Sequence, residues 1–258
     1  MKRALTIAGS DSGGGAGIQA DLKTFAAHGV YGTSAITAIT AQNTLGVTAV
    51  HTVPADIVVA QIEAVASDIG ADAVKTGMLA TAAIVEAVAA ALVDLDLPCV
   101  VVDPVMVAKG GARLLDAEAI DAMKAELIPR AMVITPNAAE AAALVGDEVR
   151  TLEQARRAAR HLKALGPGAV IVKGGHLEGP HAVDVLFDGI EVVEFRSERI
   201  ATTSTHGTGC TFASAIAANL ALGHGLREAV QRAKDYLVEA IRRAPRIGGG
   251  RGPIAHFR

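Results

Sequence analysis

Short apolar runs rich in valine and isoleucine alternate along this chain with longer, alanine-rich segments of helical period. The short runs end in Gly, Asp, Pro or Asn, which is typical of buried strands, and the longer segments are typical of helices. Strands are predicted at residues 3–8, 33–40, 47–53, 73–75, 99–103, 132–135, 169–173, 183–187 and 190–195. Helices are predicted at residues 16–28, 54–69, 82–94, 117–127, 137–145, 151–165, 210–222 and 226–243. This alternation predicts an α/β fold with a mostly parallel central sheet and helices on both faces.

Local signals mark several of these boundaries. Pro54 stands at the start of a predicted helix, where proline is tolerated. Thr151 and Gln154 have the spacing of a capping box at the start of another helix. Asp188-Gly189 is typical of a tight turn, so the last two predicted strands are expected to form a hairpin.

The composition favours one large domain over residues 1–258 with an aliphatic core. Half of the chain (51%) is hydrophobic, 3% is aromatic, and tryptophan is absent. The formal net charge of -3 and the absence of a basic stripe argue against nucleic acid as a partner. Four arginines near the C-terminus are expected to form a solvated tail. They are Arg242, Arg243, Arg246 and Arg251.

The two cysteines and the short apolar N-terminus favour a reducing, cytoplasmic location. Two cysteines, Cys99 and Cys210, make no disulfide framework. The first apolar run ends at Gly9, too early for a secretory signal, and no run reaches the length of a membrane span. The eight histidines lack the spacing of a zinc site. His206, beside a glycine turn, is expected to have a packing or hydrogen-bonding role.

Polar residues and glycines follow nearly every predicted parallel strand. In such sheets, ligands bind beyond the carboxyl ends of the strands. The segments concerned are 9–11, 41–43, 75–78, 103–105, 135–137 and 173–175. Each is an ordinary turn when taken alone, but together they predict a ligand site at one edge of the sheet.

The segment 205–211, Thr-His-Gly-Thr-Gly-Cys-Thr, directly precedes an apolar helical run. Gly207 and Gly209 let successive backbone N–H groups point the same way, at the positive end of a helix dipole. Such a place suits a phosphate or an oxyanion, and it favours the thiolate form of Cys210. The competing interpretation is a plain glycine-rich turn that caps the helix.

Several further residues allow both a functional and a structural interpretation. The glycines at 13–17 fit neither a P-loop nor a dinucleotide fingerprint, although they permit close approach of a ligand. Asp21 faces either that ligand or solvent, and the amides Gln42 and Asn43 either recognise a heterocycle or stabilise a turn.

Four more residues at or near strand ends suit phosphate chemistry. Asn137 and Glu140 have the spacing of a capping box and, alternatively, of a Mg²⁺ site. Asp103 is either a turn residue or a metal and phosphate partner. Lys173, beside two glycines, either reaches a transferred phosphate or faces solvent.

In combination these motifs resemble the hydroxymethylpyrimidine/phosphomethylpyrimidine kinases of thiamin biosynthesis, in the ribokinase-like superfamily. The resemblance covers about residues 4–253. It rests on AGSDSGGGAGIQADLKT (8–24), AQNT (41–44), KTGML (75–79), DPVM (103–106), ITPNAAE (134–140), KGGH (173–176) and THGTGCT (205–211). It implies a three-layer α/β/α fold, a homodimer, and two successive ATP-dependent phosphorylations, of 4-amino-5-hydroxymethyl-2-methylpyrimidine and then of its monophosphate.

The resemblance also implies roles for individual residues. Gln42 would recognise the pyrimidine, with Asp21, Met78 and Val105 near it. The remaining assignments concern ATP, Mg²⁺ and the transferred group. They place Asp103, Asn137, Glu140, Lys173 and Thr208 at the phosphates and metal, and Gly207, Gly209 and Cys210 at the anion hole and base. Apart from the resemblance, residues 107–111 follow a predicted strand end and are a candidate flap over the substrate.

Cys210 stands where most sugar kinases of that fold carry an aspartate base. The cysteine is shared by some pyridoxal kinases, which tend to carry Met-Asp where this chain has Gln42-Asn43. Pyridoxal phosphorylation is therefore the nearest alternative. The chain lacks the dinucleotide fingerprint that an oxidoreductase needs. A cysteine-nucleophile transferase would require a histidine partner for Cys210. The full set of kinase motifs disfavours a non-catalytic sensor.

Overall fold

Nine strands form one sheet in the computed structural model, which describes residues 1–106, 115 and 117–257. The strands are β1 Arg3–Asp11, β2 Tyr31–Gln42, β3 Val47–Thr52, β4 Ala73–Thr76, β5 Val100–Val102, β6 Val133–Ile134, β7 Ala169–Val172, β8 His181–Phe187 and β9 Val192–Glu198. Their order is β3-β2-β1-β4-β5-β6-β7-β8-β9. The central six strands are parallel, whereas β3, β8 and β9 pair antiparallel at the edges.

The helices connect these strands and cover both faces of the sheet. They are α1 Gly17–Ala27, α2 Ala55–Asp68, α3 Ala82–Asp94, α4 Ala117–Ala122, α5 Ala138–Val145, α6 Leu152–Lys163, α7 Thr208–Ala221 and α8 Leu226–Arg242. The described helices include none with the length and apolar character needed to cross a bilayer.

Alternating strand residues build two hydrophobic cores, one on each face. In β5, Val100 and Val102 pack in the core formed with α2 to α6, while Val101 packs in the core with α1, α7 and α8. In β7, Val170 and Ile171 divide between the two cores in the same way. Because side chains alternate across a strand, strands buried on both faces are apolar throughout, which confirms the predicted layering.

The predicted elements are present, with differences at their ends. The capping boxes at Thr151 and Asn137 and the β8–β9 hairpin are confirmed. The helix predicted over 117–127 changes to a π-helical turn at Met123–Leu127 and then to a 3-10 turn at Ile128–Arg130. Pro129 lacks the N–H that an α-helix needs for its ladder, so the regular helix ends before it. The candidate flap at 107–111 lies outside the described residues.

Candidate functional site

A cavity of about 630 Å³ lies at the carboxyl ends of the parallel strands. It extends from the end of β2 to the segment after β9, so it runs along most of the sheet edge. Of the residues predicted to form the site, the structure brings all but one to its wall. They are Gln42, Met78, Asp103, Val105, Asn137, Glu140, Lys173, Gly207, Thr208, Gly209 and Cys210.

The N-terminus of α7 is held against the glycine-rich loop that follows β1. Gly207 is the N-cap of α7 and has a φ of 80°. A Cβ atom on Gly207 would lie 1.7 Å from the carbonyl oxygen of Gly15, so no side chain fits there. The close approach places the first N–H groups of α7 at the cavity wall, where the helix dipole favours an anion.

Cys210, in the first turn of α7, keeps its proton more firmly than the sequence predicts. The pKa of the thiol is raised to about 11, and burial is the largest cause. The Lys75 ammonium and a hydrogen bond from the Gly17 backbone oppose this increase, while the carboxylates of Asp21 and Asp103 add to it. The expectation that the helix terminus lowers this pKa is therefore wrong, because desolvation outweighs the dipole. In this structure Cys210 is a neutral thiol at pH 7.

Asp21 lies beneath the cavity rather than in its wall, which corrects the expectation that it faces a ligand. Its side chain is 0% exposed. One carboxylate oxygen accepts hydrogen bonds from Thr6 Oγ1 (2.6 Å) and Lys75 Nζ (2.8 Å). The other accepts a hydrogen bond from Ser214 Oγ at 2.5 Å. Asp21 thus fixes Lys75 at the cavity floor and joins α1, β1, β4 and α7.

Lys75 is a permanent positive charge below Cys210. Its side chain is fully buried, and the residue belongs to the cavity lining. Burial disfavours the ammonium, but the carboxylate of Asp21 and the neighbouring Cys210 and Asp103 outweigh it, so the pKa of Lys75 lies above its ordinary value. A bound anion therefore meets a cation that does not lose its proton at physiological pH.

Replacing Asp21 by asparagine is expected to destabilise the fold by about 3–5 kcal/mol, because it leaves the Lys75 charge buried without its partner. The free energy of unfolding in urea measures this loss. The matched control is Asp147→Asn, which removes the partner of Arg157 from a pair whose side chains are more than half exposed. That change is expected to leave stability nearly unchanged. Equal, small losses in both variants would contradict the role assigned to Asp21.

Lys173 and two carboxylates form a second charged cluster, at the ends of β5, β6 and β7. Lys173 Nζ lies 2.6 Å from Asp103 Oδ1 and 3.8 Å from Glu140 Oε2. Burial opposes the Lys173 charge, but Asp103 and Glu140 outweigh it and raise its pKa. Burial also raises the pKa of Glu140 to about 7, with a further contribution from Asp103 and an opposing one from Lys173. The cluster therefore contains one cationic side chain, that of Lys173, and two carboxyl groups.

The donor set of this cluster fits a Mg²⁺ ion. Asn137 Oδ1 accepts from the Glu140 N–H (3.0 Å) and Glu140 Oε2 accepts from the Asn137 N–H (2.7 Å), so the predicted capping box forms. Among the described residues, Asp103 Oδ2 and Glu140 Oε1 make no hydrogen bond, which leaves two hard oxygen donors. Over the described part of the chain, groups of three or more His, Cys, Asp or Glu side chains suited to a metal are absent.

His206 and Asp11 form a pair that sequence patterns identify only in part. His206 Nε2 lies 2.8 Å from Asp11 Oδ2 and 3.4 Å from Gln42 Nε2. The hydrogen-bonding role expected for His206 is confirmed. Burial opposes ionisation of Asp11, but hydrogen bonds from His206 and from Ala16 N–H outweigh it and lower the pKa of that carboxyl. Asp11 thereby fixes both the glycine-rich loop and the histidine beside Gln42.

The opposite end of the cavity is apolar. It is lined by Ile200, Leu237, Val238 and Ile241, which follow β9 or lie on α8. Next to them, Lys234 Nζ donates to Asp184 Oδ2 at 2.7 Å. Asp184 Oδ1 accepts from the Gly174 N–H at 2.7 Å. These side chains therefore suit an apolar group, and sequence patterns miss them because they resemble those of any amphipathic helix.

Arg251 is exposed, in line with the expected solvated arginine tail, and it also lines the same cavity, which the sequence did not predict. Two of the other arginines, Arg242 and Arg243, lie at the end of α8 near Glu239, at 3.9 Å and 2.5 Å. The sequence offers no local signal for Arg251, because the residues that hold its segment are far away along the chain.

The sequence model of the phosphomethylpyrimidine kinase family matches residues 11–255. A hydroxymethylpyrimidine/phosphomethylpyrimidine kinase of Synechococcus elongatus is 52% identical over 98% of this chain and 97% of that protein. Its counterpart in Bacillus subtilis is 50% identical over 99% of this chain and 94% of that protein. The thiamine biosynthesis bifunctional protein ThiED of Geobacter sulfurreducens is 55% identical over 98% of this chain, which spans 52% of that longer relative.

Solved structures agree with the fold. Pyridoxal kinase of Bacillus subtilis in an ADP complex has a TM-score of 0.92 and 42% identity, covering 99% of this chain and 97% of that chain. Phosphomethylpyrimidine kinase of Clostridium difficile has a TM-score of 0.84 and 46% identity, covering 93% of this chain and 100% of that chain. These likenesses confirm the predicted ribokinase-like α/β fold.

Proposed function

Because the chain belongs to the phosphomethylpyrimidine kinase family, we propose that it carries out both phosphorylations of 4-amino-5-hydroxymethyl-2-methylpyrimidine in thiamin biosynthesis. The first uses ATP to convert the alcohol to its monophosphate, and the second converts the monophosphate to the diphosphate. One observation carries the proposal: a single cavity joins Gln42 at one end to an apolar slot at the other, with Lys173, Gly207 and Cys210 between them.

The acceptor occupies the end near Gln42. The amide of Gln42 has both a donor and an acceptor, which matches the ring edge of an aminopyrimidine. Met78 and Val105 line the same cavity and supply apolar contact for the ring. Asp21 contributes indirectly, by holding Lys75 below the acceptor.

The nucleotide occupies the other end. The apolar side chains between β9 and α8 suit the adenine ring, and Lys173, Thr208 and the N-terminus of α7 suit the phosphates. A solved Staphylococcus aureus pyridoxal kinase, 37% identical with a TM-score of 0.92, was determined with AMP-PCP and pyridoxal. This likeness supports ATP as the phosphoryl donor.

In the first step the hydroxymethyl oxygen attacks the γ-phosphorus of ATP. An oxygen–phosphorus bond forms as the bond to the ADP oxygen breaks, and the alcohol proton passes to the thiolate form of Cys210. Because the pKa of this thiol is about 11, only a small fraction of the protein carries that form at pH 7. The transition state is loose, so positioning and charge stabilisation provide most of the rate. Lys173 and the N–H groups after Gly207 and Gly209 stabilise the charge on the transferred group.

Mg²⁺ is assigned to Asp103, Asn137 and Glu140. When bound, it neutralises phosphate charge during the transfer. Glu140 must be ionised to contribute, and its pKa of about 7 means that a cation competes with a proton for this carboxylate.

The first step is expected to accelerate as the pH rises from 7 to 9. A thiol with a pKa of about 11 gains close to tenfold more thiolate with each pH unit below that value. The second step attacks with a phosphate oxygen whose second pKa is about 6, so it needs no such base. With Mg²⁺ saturating, so that the cation keeps Glu140 ionised over this range, we expect kcat for the alcohol to increase with pH while kcat for the monophosphate stays level. Parallel profiles for the two acceptors would contradict a base role for Cys210.

Pyridoxal phosphorylation is a second candidate, favoured by the TM-score of 0.92 to pyridoxal kinases. Both acceptors are flat heteroaromatic rings with a hydroxymethyl group, but Gln42 favours the aminopyrimidine. The test offers each compound with ATP and follows mono- and diphosphates by mass spectrometry. Pyrimidine monophosphate followed by diphosphate, with little pyridoxal phosphate, is the expected result. Preference for pyridoxal without pyrimidine diphosphate would contradict the proposal.

The single domain over 1–258, the homodimer and the cytoplasmic location stay predictions. Size-exclusion chromatography with light scattering measures the oligomeric state directly.

A further inference from the structure

A C-terminal strap, defined here as residues 248–256, closes the cavity beside Gln42. A Cβ on Gly250 would lie 2.1 Å from the Thr44 carbonyl oxygen, so the backbones of the strap and of the turn after β2 are in direct contact. The Arg251 N–H donates to the same carbonyl at 2.9 Å. The backbone of Arg251 is therefore hydrogen-bonded to Thr44, which follows Gln42 by two positions in the sequence.

The strap is also tied to the segment that precedes Cys210. The His206 N–H donates to the Gly252 carbonyl at 3.1 Å. Further along, the Tyr236 hydroxyl donates to the His256 carbonyl at 2.7 Å. Arg251 lines the cavity, and its backbone position between the contacts to Thr44 and to His206 places it at the Gln42 end and not at the apolar nucleotide end.

Most cations of the cavity wall are already paired. Lys75, Lys173 and Lys234 contact Asp21, Asp103 and Asp184 at 2.8, 2.6 and 2.7 Å. The Arg199 guanidinium donates to backbone carbonyls, including those of Gly175 and Gly179. Among the described wall residues, Arg251 is the arginine or lysine whose side chain has neither an ion pair nor a hydrogen bond in the structure.

The second phosphorylation places two anions in one cavity. The alcohol is neutral, whereas its monophosphate carries a charge of about -1.5 to -2 near pH 7 and meets the triphosphate of the nucleotide. The repulsion between them calls for a positive charge that no carboxylate has already neutralised. An arginine supplies it best, because its planar fork binds a phosphate through two hydrogen bonds.

We infer that Arg251 binds the phosphate of the pyrimidine monophosphate and so determines affinity for the second acceptor. The inference rests on the proposed function, since it concerns the acceptor of the second step. It distinguishes the two acceptors: Arg251 contacts a group that the monophosphate has and the alcohol lacks.

The test compares the wild type with Arg251→Ala and Arg251→Lys. Equilibrium dialysis without ATP measures binding of the alcohol and of the monophosphate, and steady-state assays give KM for both acceptors and for ATP. Arg251→Ala is expected to weaken monophosphate binding by about tenfold to a hundredfold and to leave alcohol binding within about twofold. Arg251→Lys keeps the charge but loses the fork, so an intermediate loss is expected.

Arg246→Ala is the matched control, because Arg246 is also exposed and near the C-terminus but does not line the cavity. It is expected to behave as the wild type. Equal effects of Arg251→Ala on both acceptors would overturn the inference. A rise in KM for ATP with the alcohol as acceptor would also overturn the inference, because it would show that Arg251 binds a phosphate of the nucleotide and not the phosphate of the acceptor. A wild type that phosphorylates neither pyrimidine would instead overturn the proposed function, and the inference with it.

Discussion

Replacing Cys210 by alanine is expected to slow phosphorylation of the pyrimidine alcohol by roughly 10²- to 10⁴-fold, the usual contribution of a positioned general base. The monophosphate is expected to lose far less, about tenfold or below. The difference arises because the alcohol must lose a proton to an acceptor, whereas the attacking phosphate oxygen is already ionised near neutral pH. Single-turnover rates for the two acceptors, each measured at saturating ATP, give the two factors.

Two further variants separate the base role from a packing role. Cys99→Ala removes the other cysteine, which lies outside the cavity wall, and is expected to leave both rates unchanged. Cys210→Ser keeps a side chain of similar size but replaces the thiol by a hydroxyl, which is a much weaker acid. If Cys210→Ala lowered both steps by the same factor, Cys210 would serve only packing or substrate binding.

Replacing Lys173 by alanine is expected to lower kcat by about 10²- to 10³-fold while the affinity for the pyrimidine alcohol stays close to that of the wild type. The expected loss resembles that of removing one group that stabilises charge in the transition state. Lys173 contacts Asp103 and Glu140 rather than Gln42, so it is assigned to the transferred phosphate and not to the ring. Equilibrium binding of the alcohol and steady-state kinetics measure the two quantities separately.

The same substitution also leaves two buried carboxylates without a cation, so a stability control is needed. Lys173→Met combined with Glu140→Gln removes one charge of each sign and keeps a residue suited to the capping box at position 140. This double variant is expected to recover much of the lost free energy of unfolding but none of the lost turnover. Full turnover with weakened pyrimidine binding would refute the phosphate assignment of Lys173.

Much of the fold follows from local patterns in the sequence. The runs at 100–102 and 169–172 are apolar on both faces and therefore predict central strands, and the helix 82–94 agrees with the structure at both ends. The end of the predicted helix 117–127 is less accurate, because Pro129 interrupts the helical hydrogen-bond ladder and the apolar pattern continues past the point where the α-helix ends.

The site is predictable where it depends on strand ends and less so where it depends on distant partners. The rule for parallel sheets identifies Gln42, Asp103 and Lys173 from sequence alone. Asp21 was expected to face either a ligand or solvent, and it is buried instead. Its burial could not be predicted because its partners Lys75 and Ser214 are 54 and 193 residues away along the chain. Arg251 was missed for the same reason.

The pKa of Cys210 shows a different limit of sequence reasoning. The helix terminus is visible in the sequence, and it alone predicts a lowered pKa. Burial is a property of the assembled protein, and here it dominates and raises the pKa to about 11. The sign of the shift therefore becomes clear only when the surroundings of the thiol are known.

The most direct test of the proposed function is the number of ADP molecules released per molecule of pyrimidine alcohol when the wild-type reaction runs to completion with excess ATP. Two successive phosphorylations in one cavity predict two ADP per pyrimidine and diphosphate as the final product. Release of a single ADP, with the monophosphate accumulating, would contradict the account.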